Sequence, residues 1–165
     1  MAENSEGPSL AMLFGISVVG TAFLQAFQIS GIQAIELVVP IAVYAGVVYG
    51  IEKGILLGSA SYLVLGLLLN TLNSELILWT ALAAGIAGGL GGWLAQKKDA
   101  SIGTLVFATL AGTLVFELAI GLYLGQRIPL DLDSFLGSAP RSGIHLATNL
   151  VIAGLLATFL PRKKG

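Results

Sequence analysis

Six apolar segments of about 17 to 23 residues, parted by short polar breaks, occupy almost everything between positions 10 and 160. Runs this long exceed any ordinary strand, and they are too continuously apolar for helices that show one face to water. A hydrocarbon core about 30 Å thick needs about 20 apolar residues at 1.5 Å rise, and shorter runs cross when their flanks snorkel. The segments are residues 10–29, 32–49, 55–72, 76–95, 102–124 and 144–160. They predict an all-α fold: a polytopic membrane protein in which 1–165 form one compact bundle of six transmembrane helices.

Composition narrows the function classes. Charged residues make up 10% of the chain, against about 25% in soluble domains. The formal net charge of −1 leaves no basic surplus for a phosphate backbone, so no nucleic acid partner is expected. There is no Cys and one His, which removes disulfides, thiolate chemistry and a His-rich metal site. No phosphate-binding Gly-rich loop, Gly-x-Ser-x-Gly or His-Glu-x-x-His occurs. Ser59 and Ser61 fall too deep in the third segment to act as nucleophiles beside His145. The chain is therefore expected to have no catalytic residues, no cofactor and no metal, and not to be an enzyme.

The breaks carry the orientation. Gly50-Ile51-Glu52-Lys53-Gly54 reads as a tight turn, and Asn70–Ser74 and Gln96–Asp99 are rich in turn and capping residues. The acidic start, Met1-Ala2-Glu3-Asn4-Ser5-Glu6, is unlike a signal peptide, so the first span is expected to remain. With six spans, Lys53, Lys97, Lys98, Arg162, Lys163 and Lys164 share one side, and Arg127 and Arg141 lie on the other. The positive-inside rule then places both termini in the cytoplasm and the protein in the cell membrane. The longest break, 125–141, interleaves acidic residues with Leu130, Leu132, Phe135 and Leu136; it reads as a loop on the outer face, either a lid over an opening or a segment among lipid headgroups.

Counting along each helix gathers the polar side chains toward the outer half: Gln25, Gln28, Gln33, Glu36, Glu75, Trp79, Glu117, His145 and Asn149. An ionisable group at membrane depth costs at least about 2.5–3.5 kcal/mol, so it faces a bundle interior or a wet cavity and marks a solute or ion path. Glu117 stands about eight residues from its helix end, roughly 11 Å deep. His145 and Asn149 share one helical face, as do Glu75 and Trp79. Together Glu117, His145, Asn149, Trp79 and Glu75 are candidates to line a small-molecule pocket. Bland readings stand beside these: helix-dipole stabilisation for Glu36 and Glu75, an aromatic belt for Trp79, a helix-end hydrogen bond for His145 and interhelical glue for Asn149. In the fourth segment, Gly85/Gly89 and Gly88/Gly92 are small-xxx-small pairs suited to close helix packing.

The arrangement resembles the substrate-binding S component of an energy-coupling-factor (ECF) transporter. The parts that carry this are six short spans, GIEKGILLGSASYLVLGLLL over 50–69, the Gly-rich fourth span ending in Lys97-Lys98, Val115-Phe116-Glu117-Leu118, and Gly143-Ile144-His145-Leu146-Ala147-Thr148-Asn149. The resemblance implies a binding subunit for a vitamin-like or related micronutrient, working in the lipid bilayer with a coupling transmembrane protein and two cytoplasmic ATPases. It further implies that Ala11 and Gly15, on the small-residue face of the first span, contact the coupling protein; Gly15 stands where that family usually has Ala. The alternative is a small membrane scaffold of similar fold, like the rod-shape-determining membrane proteins, with no solute pocket.

Overall fold

The computed structural model describes residues 8–27, 35–69, 74–125 and 132–160. Among them the chain is helical, without strands. Leu10–Gly15, a π-helical stretch Ile16–Gly20 and Thr21–Phe27 follow one another as helix α1. Then come α2, Val38–Tyr49; α3, Ile51–Leu69; α4, Ser74–Lys98; α5, Ile102–Gly125; and α6, Leu132–Leu156, which ends in the 3₁₀ turn Ala157–Phe159.

Local chemistry explains the boundaries. Ser9 caps α1, its hydroxyl accepting from the Met12 N–H at 3.2 Å. At the α2–α3 junction a single residue separates two helices. Gly50, at φ +97°, donates its N–H to the Gly46 carbonyl at 2.9 Å and accepts from Lys53 and Gly54 at 3.2 and 3.1 Å. A left-handed residue without Cβ thus ends one helix and starts the next. In consequence Glu52 and Lys53 lie inside the first turn of α3, and that helix begins at Ile51, not at the expected 55. Likewise α4 outruns the expected 76–95, because Ser74, Glu75 and Gln96–Lys98 join it as polar end turns, with both lysines at its negative pole. Ser101 then caps α5 by accepting from the Thr104 N–H at 3.1 Å.

The expected outer loop 125–141 requires correction. Residues 126–131 lie outside the described part, but from Leu132 onward the backbone is helical straight through Pro140, so the last helix starts twelve residues before the expected 144. The reason is visible in the spacing: Leu132, Phe135 and Leu136 recur at helical, not alternating, period. Pro140 removes one backbone donor within that helix, which weakens a turn without ending it.

Four helices are long and apolar enough to cross a membrane, and α1 and α2 are shorter apolar helices. With 12 residues, α2 is about 18 Å long, short of a bilayer core. It is also the central post: every residue from Val38 to Val47 is buried, and it packs on α3, α4, α5 and α6. A helix apolar all round belongs in such an interior. The other five helices present Val19, Leu67, Leu82, Leu118 and Val151 outward, while Ser17, Thr21, Ser61, Thr109 and Thr113 are buried. Apolar outside and polar within is the arrangement a hydrocarbon solvent demands. The protein is a helical membrane bundle.

The tightest packing joins α2, α3 and α4. A Cβ added to Gly54 would lie 2.7 Å from the Gly46 Cα and from the Gly88 carbonyl carbon, and one added to Gly88 would collide with the Gly54 carbonyl. The expected internal packing of the glycine pairs is therefore realised as backbone against backbone at Gly88 and Gly92, and against the side chains of Ser59 and Ile55 at Gly85 and Gly89. Hydroxyls complete the links: Ser17 meets Ser61 at 2.6 Å between α1 and α3, and Ser59 donates to the Ala81 carbonyl at 3.0 Å between α3 and α4. Tyr44 on α2 donates to the Phe159 carbonyl at 2.8 Å, tying the post to the end of α6.

Candidate functional site

The entry to α2 sets the first functional side chain. The Leu37 N–H donates to the Thr21 hydroxyl of α1 at 2.9 Å, and Glu36, just before it, turns its carboxylate into the bundle. There Oε1 accepts from the Val39 N–H at 3.3 Å, which adds a cap to the first turn of α2. The other oxygen accepts from the Tyr62 hydroxyl of α3.

His145 of α6 closes the cluster. Its Nε2 stands 3.1 Å from Glu36 Oε1, and its Nδ1 meets Glu117 Oε1 of α5. Glu117 Oε2 accepts from the Ser142 hydroxyl at 2.6 Å, three residues before His145 on the same helix. Glu36 and His145 are 5% and 4% exposed, whereas the Glu117 side chain keeps 28% of its surface open. Phe116 stacks on Tyr62 with ring centroids 5.4 Å apart and meets the His145 ring edge-on at 5.7 Å. The result is an acid–imidazole–acid trio, held by residues from four parts of the chain and walled by two aromatic rings.

A second polar layer lies one turn further into α6. Asn149 is fully buried, and its Nδ2 donates to the Thr113 hydroxyl at 3.1 Å. Glu117, Thr113 and Thr109 recur every four residues and so form one stripe along α5. Thr109 Oγ1 in that stripe and Asn149 Oδ1 on α6 are buried polar atoms with no hydrogen-bond partner among the described residues. Buried polar atoms are nearly always satisfied, so these two orphans mark unspent hydrogen-bonding capacity, Asn149 one turn from the trio and Thr109 about two.

Of the sequence candidates, the structure brings Glu117 and His145 into contact and puts Asn149 one turn away. Glu36 does stand at a helix start, but it is buried and not interfacial, because the turn into α2 points it inward. Trp79 is partly buried and packs against Tyr123, 6.1 Å between centroids and more than a turn past Glu117 on α5. Glu75 is exposed in the first turn of α4. Gln25 is partly buried on α1, and Gln28 and Gln33 lie outside the described residues. Sequence reasoning missed Tyr62 and Ser142. Their signals were a lone phenol inside an apolar span and a hydroxyl three residues before the histidine. Surface hollows lined by Leu94, Lys98, Ser101 and Thr104 open at the α4–α5 turn, the opposite end from the trio.

Fold and site together define a six-helix membrane bundle with an ionisable cluster in its interior. Comparison with protein families, with curated proteins and with solved structures finds no match to this chain.

Proposed function

We propose that this protein is the solute-binding subunit of an ATP-driven membrane importer, of the kind represented by ECF S components. In this reading it is a multi-pass protein of the cell membrane with cytoplasmic termini, and it captures a micronutrient from outside. The observation that supports this most is the meeting of Glu36, Glu117 and His145, from distant parts of the chain, inside the bundle near one end. The six-to-two division of Lys and Arg makes that end the outer one. Asn149 Oδ1 and Thr109 Oγ1 offer hydrogen bonds that the protein leaves unmade. A coupling transmembrane protein and two cytoplasmic ATPases would supply the energy, and this chain would do no chemistry.

The test is ligand-dependent stabilisation of the purified protein across a micronutrient panel, beside mass spectrometry of whatever co-purifies. A solute at 100 times its dissociation constant adds about 2.7 kcal/mol. Glu117→Gln and Asn149→Ala are expected to lose that gain while still being produced; retention of the full gain in both refutes the pocket. Partner contact is tested at Gly15, where an added Cβ meets no atom within 4 Å, so a larger side chain leaves the fold intact. Gly15→Leu, facing the same way as exposed Ala11, should abolish uptake in cells yet spare solute binding by the isolated chain. Normal uptake by Gly15→Leu argues against coupling through this face.

A second reading has its own support. Both carboxylates of the trio already accept from protein donors, which is what a purely structural clasp between helices requires. A scaffold of the rod-shape-determining type would show the clasp and no ligand-dependent stabilisation, so the same measurement separates the two.

A further inference from the structure

We propose that the trio selects a monovalent organic cation carrying N–H donors; this rests on the solute-binding reading above. Each of the two contacts between a His145 nitrogen and a glutamate oxygen needs one proton. If both protons sit on the ring, an imidazolium faces two carboxylates and the sum is −1. If one sits on a carboxyl, a neutral imidazole, a neutral acid and one carboxylate again sum to −1. At that minimum proton count the trio carries −1 in either arrangement.

Among the described residues, the groups that hydrogen-bond to the trio bring no positive charge. Tyr62 from α3, Ser142 from α6 and the Val39 N–H from α2 are neutral donors. The described part of α1 has no titratable side chain, and Glu75, on α4, is acidic and exposed. Arg141, one turn before His145 on α6, acts on Glu117 and Tyr62 through its charge, but it does so from an exposed position and so offsets the trio's charge only in part. An uncompensated charge at membrane depth is costly, and a solute bearing +1 removes that cost where an anion doubles it.

Two further features choose an organic cation over an inorganic one. Tyr62 and Phe116 give the acids an aromatic flank, a combination that attracts ammonium and guanidinium groups. Asn149 Oδ1, one turn away and unpartnered among the described residues, is able to accept from such a group. Conversely, the two glutamates lie on different nitrogens of one imidazole, and no group of three or more acidic, His or Cys side chains among the described residues is set to hold a metal ion.

The experiment uses the full-length protein in detergent with three probes of one shape, benzylammonium, benzyl alcohol and benzoate, with sodium chloride matching ionic strength. Thermal unfolding gives each dissociation constant. The expected result is stabilisation by benzylammonium alone, lost in Glu117→Gln and strengthened by about threefold or more in Arg141→Gln, since that substitution removes a competing exposed charge. Because Arg141 is exposed, this variant keeps the fold, and an anion-selective site would respond in the opposite sense. Equal or greater stabilisation by benzoate, benzyl alcohol or sodium ion overturns the cation assignment and leaves solute capture standing, as does an unchanged or weaker ammonium affinity in Arg141→Gln. No stabilisation by any probe, together with no co-purifying small molecule, overturns both.

Discussion

Gly88→Leu is expected to prevent the bundle from assembling. A Cβ at this position would lie 2.5 Å from the Gly54 carbonyl carbon and 3.1 Å from its Cα, besides overlapping the carbonyl oxygen. These are backbone atoms of α3, so no rotamer change can make room. Side chains forced into ordinary cores cost about 1–3 kcal/mol because neighbours move aside. Here α3 and α4 would have to separate along their length, and the loss should exceed about 3 kcal/mol, a large share of a typical total stability. Separation would also stretch the Ser59 hydroxyl bond to Ala81. The check is the yield of monodisperse protein and its unfolding midpoint in detergent, with Gly15→Leu as the matched control at an open site. A Gly88→Leu protein that unfolds at the parent temperature would show that α3 and α4 are not in backbone contact.

The second large effect is expected at His145. Replacing it with Leu leaves Glu36 and Glu117 buried or half-buried around an apolar side chain, each missing its nitrogen partner. Removing one member of a buried ionic group costs about 3–5 kcal/mol, mostly from the charge left behind. The diagnostic outcome is therefore rescue. Adding Glu36→Gln and Glu117→Gln to His145→Leu should recover most of the lost stability, since Gln oxygens still accept from Tyr62 and Ser142 and carry no charge. Unfolding midpoints of the single and triple variants decide it. A triple variant less stable than the single one would mean that the histidine contributes packing alone, and the charge count that motivates a cationic solute would fall with it. The contrast with Gly88 is instructive: that position fails through shape and no second substitution nearby repairs it, whereas the trio fails through charge and is repaired by removing charge.

How much of this was legible beforehand differs between fold and site. Run length predicts six helices, because the need to satisfy every backbone group without water leaves a long apolar segment no other form. Boundaries were less legible. The α2–α3 turn needed the left-handed Gly50, and the helical stretch ahead of Pro140 was concealed by an acidic, proline-bearing composition that resembles a loop. The role of α2 was hidden as well: nothing in its apolar run shows that its twelve residues form the buried post. Within the site, Glu117, His145 and Asn149 stood out because polar residues at membrane depth need a reason to be there. Glu36 did not, since a carboxylate near a helix start has an adequate local explanation in the helix dipole.

What the chain decided by itself is what depends on neighbours in sequence: helical state, membrane class, and the stripe of Glu117, Thr113 and Thr109 on one helix face. What only the tertiary structure decided is which stripes face each other. Tyr62 reaches Glu36 across 26 positions and His145 reaches it across 109. Such pairings arise from the close approach of α2, α3 and α4 through their glycines and from the inward turn at residue 36, and neither leaves a periodic trace in a one-dimensional pattern. Hydropathy reports the solvent a segment prefers; charge neutralisation inside the bundle depends on distances of a few ångströms between helices, and those exist only once the helices have packed.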